Sequence, residues 1–172
     1  MEMDYPLVLG DIRVFRTLKH RPVTALAVRL VGQTRSRAII VDGSAAIDPY
    51  WMVRVCKQYG FNEKDVFKKI LVARGFTAYQ LKDLVTKASR MIRENDDFSF
   101  LGLIALSERF ADDDVGNEEG IWLRSQTVEC VRRTVEDSSI YCAVADTRPE
   151  IYIKRRGGEL HGKKCTDLQA GT

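Results

Sequence analysis

The spacing of apolar positions predicts a chain of alternating strands and helices. Asp11 to Thr17 (D-I-R-V-F-R-T) alternates apolar and polar residues with period two, as a strand does. Thr24 to Val31 carries Ala25, Leu26, Val28, Leu30 and Val31 as the apolar residues of a helix. Arg37 to Asp42 is a short β-branched run, the pattern of a strand buried on both faces. Asp48 offers an N-cap with Pro49 at the first helical position, and Gly60 stops that helix after Tyr59. Asn62 with Asp65 resembles a capping box, with Phe61 and Val66 as its hydrophobic staple. Thr77-x-x-Gln80 is a full box, with Phe76 and Leu81 as the staple. Ile70 to Phe76 and Phe98 to Leu106 read as further buried strands, followed by a long helix from Glu118 to Glu136 and a strand from Ile140 to Ala145. Glu150 to Arg155 and Glu159 to Cys165 flank Gly157-Gly158, a hairpin signal.

Strands alternating with helices of roughly 10 to 20 residues imply right-handed βαβ units. The fold class is therefore α/β: a mainly parallel sheet flanked by helices, with the C-terminal antiparallel β-hairpin at an edge. One domain is expected over residues 1–166, with 167–172 a frayed tail. The 172 residues are 45% hydrophobic and 30% charged, which suits a full core and excludes disorder over most of the chain. No apolar run approaches the roughly 18 residues of a membrane span. Met-Glu-Met-Asp-Tyr-Pro at the start lacks an apolar signal region, so a cytoplasmic location is expected. Cys56, Cys130 and Cys142 lie in apolar segments and Cys165 stands apart, as expected of thiols in a reducing compartment.

The net charge of +3 hides a polarised distribution. The whole excess comes from residues 151–172, which hold five basic and two acidic residues. Ile12 to Val41 has seven Arg or Lys and no acid, whereas Ser107 to Gly120 has six acids and one Arg.

Three segments carry a resemblance to a known family. These are Arg37-Ala-Ile-Ile-Val-Asp-Gly-Ser-Ala-Ala-Ile-Asp-Pro49, then Tyr59-Gly-Phe-Asn-Glu-Lys-Asp-Val-Phe67, and Ile70-Leu-Val-Ala-Arg-Gly-Phe-Thr-Ala-Tyr-Gln80. Over them the chain resembles the ATPase core of the RecA/RadA recombinases, without gaps. Elsewhere in residues 11 to 165 the likeness is one of element order. In character it looks like a divergent, trimmed archaeal recombinase-related protein. The resemblance implies a RecA-like sheet and a role in DNA recombination or repair.

The departures bear on chemistry. The family's phosphate loop, G-x-x-x-x-G-K-[ST], falls here on Thr17-Leu-Lys-His-Arg-Pro-Val-Thr24. Both glycines are missing, Val23 stands in place of the lysine, and Pro22 removes a backbone donor from a loop that grips phosphate with bare N–H groups. Ser44 occupies the place of the family's water-orienting Glu, and Leu106 that of its metal-associated Asp. The resemblance therefore implies a protein without catalytic residues, without a metal site and without an ATP cofactor. The loop after the strand at 98–106 is acidic where the family tends to carry Arg, and the loop after Ala145 is short. Nothing in the chain matches the family's N-terminal oligomerisation segment or helical DNA-binding domain.

Several residues retain sharper readings beside plainer ones. Lys19 and Arg21 with the Thr24 hydroxyl are candidates for weak phosphate or Mg-ATP binding; the plain reading is a solvated loop. Lys154, Arg155, Arg156, Lys163 and Lys164 are candidates for a salt-sensitive nucleic-acid patch, or for charges that block edge aggregation. The acidic loop 112–119 lacks EF-hand spacing, and His161 with Cys165 makes no metal site alone. Trp51 and Trp122 are expected to pack. The favoured reading is a non-catalytic recombinase-like accessory module that associates with a recombinase, with itself or with DNA. The alternatives are a weak ATPase needing a partner and a protein-binding module with no nucleic-acid role.

Overall fold

A computed structural model describes residues 7–112 and 115–152. Five strands, β1 (Ile12–Arg16), β2 (Arg37–Asp42), β3 (Ile70–Arg74), β4 (Phe98–Ile104) and β5 (Tyr141–Asp146), form one sheet in the order β1-β5-β4-β2-β3. Every pairing is parallel. Alternation along the buried strands sends side chains to two separate cores. Ala38, Ile40 and Phe100 meet Val23, Val28 and Val31 of α1 (Arg21–Thr34), Val55 and Cys56 of α2 (Pro49–Tyr59), and Val66 of α3 (Glu63–Phe67). Ile39, Val41, Leu101 and Leu103 face the other way. There they meet Leu81 and Val85 of α4 (Ala78–Glu94), Leu106 of the short α5 (Leu106–Arg109), and Leu123 and Val131 of α6 (Asn117–Ser138). Both faces of the sheet are covered, as a parallel sheet requires.

The end signals act largely as the sequence predicts. The Asp48 carboxylate accepts from Tyr50 N at 2.9 Å, and Gly60 ends α2 in the left-handed region at φ 70°. Asn62 accepts from the backbone of Lys64 and Asp65. Thr77 accepts from Gln80 N at 3.2 Å, but the Gln80 side chain reaches past the cap to Phe76 N at 2.9 Å. Phe76 is 60% exposed and does not form the expected staple. Leu81 packs instead against Gly75, where a Cβ would come within 2.6 Å of it.

Other differences have local causes. Helix α1 begins at Arg21, three residues early, because Pro22 needs no N–H partner and its fixed φ suits a first turn. Strand β4 stops at Ile104, since Ala105 turns left-handed (φ 53°) into α5. Residues Pro149–Ile151 form a 3-10 turn, not the start of a strand. That turn is held where Tyr152 is buried and its hydroxyl donates to Asp146 at 3.2 Å, while Arg132 Nη2 donates to Ile151 O at 2.7 Å. The rest of the expected hairpin and the tail lie outside the described residues.

Candidate functional site

In an open parallel α/β sheet, ligands bind beyond the carboxyl ends of the strands. Here those ends present Arg16, Asp42, Arg74, Ile104 and Asp146. The first turn at this edge joins β1 to α1, and three of its N–H groups are bonded locally. Thr17 N donates to Phe15 O at 2.9 Å, Lys19 N to Thr17 Oγ1 at 3.1 Å, and Thr24 N to His20 O at 3.0 Å. Position 22 has no N–H. Lys19 and Arg21 are exposed, and the Arg21 guanidinium lies 4.8 Å from the centre of the Trp51 ring. Thr24 is fully buried; its hydroxyl donates to His20 O at 3.1 Å and lies 3.3 Å from Arg21 O. His20 Nδ1 is 3.2 Å from the same hydroxyl. Burial holds the His20 pKa below its ordinary value; Asp48 opposes this and Arg21 adds to it. The fold thus brings Lys19, Arg21 and Thr24 to one turn, but Arg21 lies over the Trp51 ring and the buried Thr24 hydroxyl donates to its own helix, while Lys19 is exposed.

Two buried aspartates stand at the same edge: Asp42, within the Arg37–Pro49 segment that carries the resemblance, and Asp146, which no motif marks. Asp42 accepts from Ser44 N at 2.9 Å and from the Ser44 hydroxyl at 2.7 Å, with Arg74 Nε 3.7 Å from its other oxygen. Asp146 accepts from Ser107 N at 3.0 Å, the Ser107 hydroxyl, Arg148 N at 3.2 Å and the Tyr152 hydroxyl. The Asp146 bonds satisfy its buried carboxylate and tie the loops after β4 and β5 together, whereas Asp42 bonds only within its own turn and its buried Oδ2 accepts no hydrogen bond, facing Arg74 instead. Arg109 adds a bond from Nε to Gly43 O at 3.1 Å. Leu106 is wholly buried.

The acidic segment is partly absorbed by the fold. Asp112 lies 3.7 Å from Arg109, and Glu118 and Glu119 occupy the first turn of α6, where negative charge suits the helix dipole. Glu119 accepts from Tyr79, which raises the pKa of that phenol. Among the described residues no three His, Cys, Asp or Glu side chains could share a metal ion, and no helix is long and apolar enough to cross a membrane. Trp51 is half-buried, but Trp122 is 54% exposed beneath Lys82 instead of packed, because it sits on the outer face of α6. Cys56 and Cys142 are buried and Cys130 is half-buried. Lys154, Arg155, Arg156, Lys163, Lys164, His161 and Cys165 lie outside the described residues.

A five-stranded parallel sheet in this order, layered between helices, is a RecA-like α/β core. The family model described as Rad51 matches residues 8–134, well over half of the chain, and the chain belongs to the Rad51 family. Comparison with curated proteins found no significant match. Membership gives the protein a role related to recombination or repair; domains of this family typically self-associate and bind DNA.

Proposed function

We propose that this protein is a non-catalytic accessory or assembly module of DNA recombination and repair, in which ATP hydrolysis has been lost. The observation that carries the reading is the turn from Thr17 to Thr24. A triphosphate with its Mg²⁺ needs bare N–H groups and a free hydroxyl at that place. Here three of the N–H groups bond within the turn or the first helical turn, Pro22 supplies none, and the Thr24 hydroxyl donates to its own helix. The residues present do not fit that group. The exposed Lys19 and Arg21 can still attract an anion by charge alone, which is weaker and unselective.

The working surfaces under this reading are the outer edge of β3, which has no strand beside it among the described residues, and the basic residues Lys154, Arg155, Arg156, Lys163 and Lys164. An open strand edge suits association with a second copy or with a complete recombinase. Thermal denaturation with and without Mg-ATP, run beside co-elution with an active recombinase, tests the reading. No rise in Tm with nucleotide, together with co-elution, is the expected result. A nucleotide-dependent rise that Thr24→Ala removes would overturn the loss of ATP chemistry. Elution as a monomer apart from any recombinase would overturn the accessory role.

A further inference from the structure

Helices α1 and α2 carry four basic residues and no acidic one, whereas α6 on the opposite face of the sheet has five acids and three arginines. Helix α4 shares that face with α6 and carries Lys82, Lys87, Arg90 and Arg93 against Asp83 and Glu94, so what distinguishes α1 and α2 is that neither holds an acid. The basic face is also lined with rings. Arg21 of α1 lies 4.8 Å from the centre of Trp51 of α2, and Arg29 lies 6.0 Å from that of Tyr59. Each partner is eight residues farther along its own helix. The helices therefore run side by side in the same direction, and the two Arg–aromatic pairs stand about 12 Å apart at 1.5 Å per residue. Arg54 approaches the Trp51 ring from α2 itself, at 5.4 Å, with Lys57 nearly one turn on. Tyr50, next in the row, is 81% exposed. Acids beside this face include Asp48, 3.9 Å from an exposed Arg54, the buried Asp42 near the head of α1, and Glu63 and Asp65 of α3, which flank Lys64.

We infer that the α1–α2 face binds single-stranded nucleic acid, with its arginines and Lys57 on the phosphates and Tyr50 as a ring on which a base stacks. Cationic side chains interleaved with aromatic ones are what such a strand requires, and the absence of acids from both helices removes the repulsion a polyanion would otherwise meet. The inference rests on the reading that the protein works with DNA, but it uses residues remote in sequence from 154–164.

The test is fluorescence anisotropy of a labelled oligothymidylate on the full chain across a range of salt. Intrinsic fluorescence of a Trp122→Phe variant, in which Trp51 is the sole tryptophan, is read in parallel. Arg54→Glu with Lys57→Glu is expected to weaken binding about tenfold or more and to lower the log–log salt slope by about 1.4, with an unchanged circular-dichroism spectrum. Tyr50→Ala, at a site too exposed to matter for folding, is expected to weaken it at least about fivefold. The oligonucleotide is expected to quench Trp51. Native-like binding by both variants would overturn the inference. So would heparin binding as tightly as the oligonucleotide with no effect of Tyr50→Ala, since that marks a general polyanion surface. Binding lost in a Lys154→Ala, Arg155→Ala, Arg156→Ala variant but kept by the α1–α2 variants would overturn this surface and leave the DNA reading standing. No binding by the native chain would overturn both.

Discussion

His20 shows how a single buried side chain can couple this fold to pH. It is 7% exposed at the head of α1, and burial lowers its pKa from 6.5. The folded protein therefore holds the proton more weakly than the unfolded chain does. Between the lowered value and 6.5 the unfolded state binds more protons, so stability rises with pH through that window and is lost as pH falls through it. Replacing His20 with Gln removes the titration. The drop in Tm from about pH 7.5 to about pH 5.5 should be smaller in His20→Gln than in the native protein. Equal drops would mean that His20 is not a source of the acid sensitivity. The same residue-scale economy governs Thr24, whose place in the sequence suggests an ion ligand while its burial turns the hydroxyl onto the backbone.

At the scale of elements, one close approach sets how α1 lies on the sheet. Gly102 is in the middle of β4, and a Cβ there would come within 2.6 Å of Val23 Cγ1 and 3.1 Å of Phe100 Cε1. The absence of a side chain lets the first turn of α1 press onto the strand, which in turn fixes the position of the Thr17–Thr24 turn. Gly102→Ala should cost about 1–3 kcal/mol by overpacking, measured by denaturant unfolding. Because the obstacle is the end of a side chain, adding Val23→Ala should return part of that loss, and the two changes should be non-additive. Gly120 is a different case. A Cβ there would meet the backbone oxygen of Phe110 at 2.2 Å, and no trimming of a neighbour relieves that contact.

For the molecule as a whole, the decisive contact is the longest one. Strand β1 pairs only with β5 among the described strands, in a register that sets Ile12 beside Cys142. The family match ends at residue 134, yet the sheet needs the chain beyond it to hold β1 and to place Asp146 against Ser107. A chain ending at Ser138 should therefore fail to fold cooperatively, as read by circular dichroism and limited proteolysis. A compact, protease-resistant product would show that β5 and its pairing with β1 are dispensable. Such pairing across most of the chain also implies slow folding relative to helical proteins of this size.

The sequence by itself determined the elements and the class of fold. Period-two runs, β-branched strands and the capping residues Asp48, Gly60, Asn62 and Thr77 are local signals, and local physics obeyed them. It also carried the departures from the recombinase pattern that the resemblance implies at positions 17–24, 44 and 106, because a difference in residue type is visible in one residue. What only the tertiary structure decided depends on contacts between distant segments. That Arg21 lies over Trp51, that Asp146 is held by Ser107 and Tyr152, and that Tyr152 draws residues 149–151 into a turn all require chains that meet only after folding. Likewise, the acid-free stretch 12–41 became half of a basic surface when α2 was laid beside α1. Charge along a chain is read in sequence; charge on a face exists only once helices have packed.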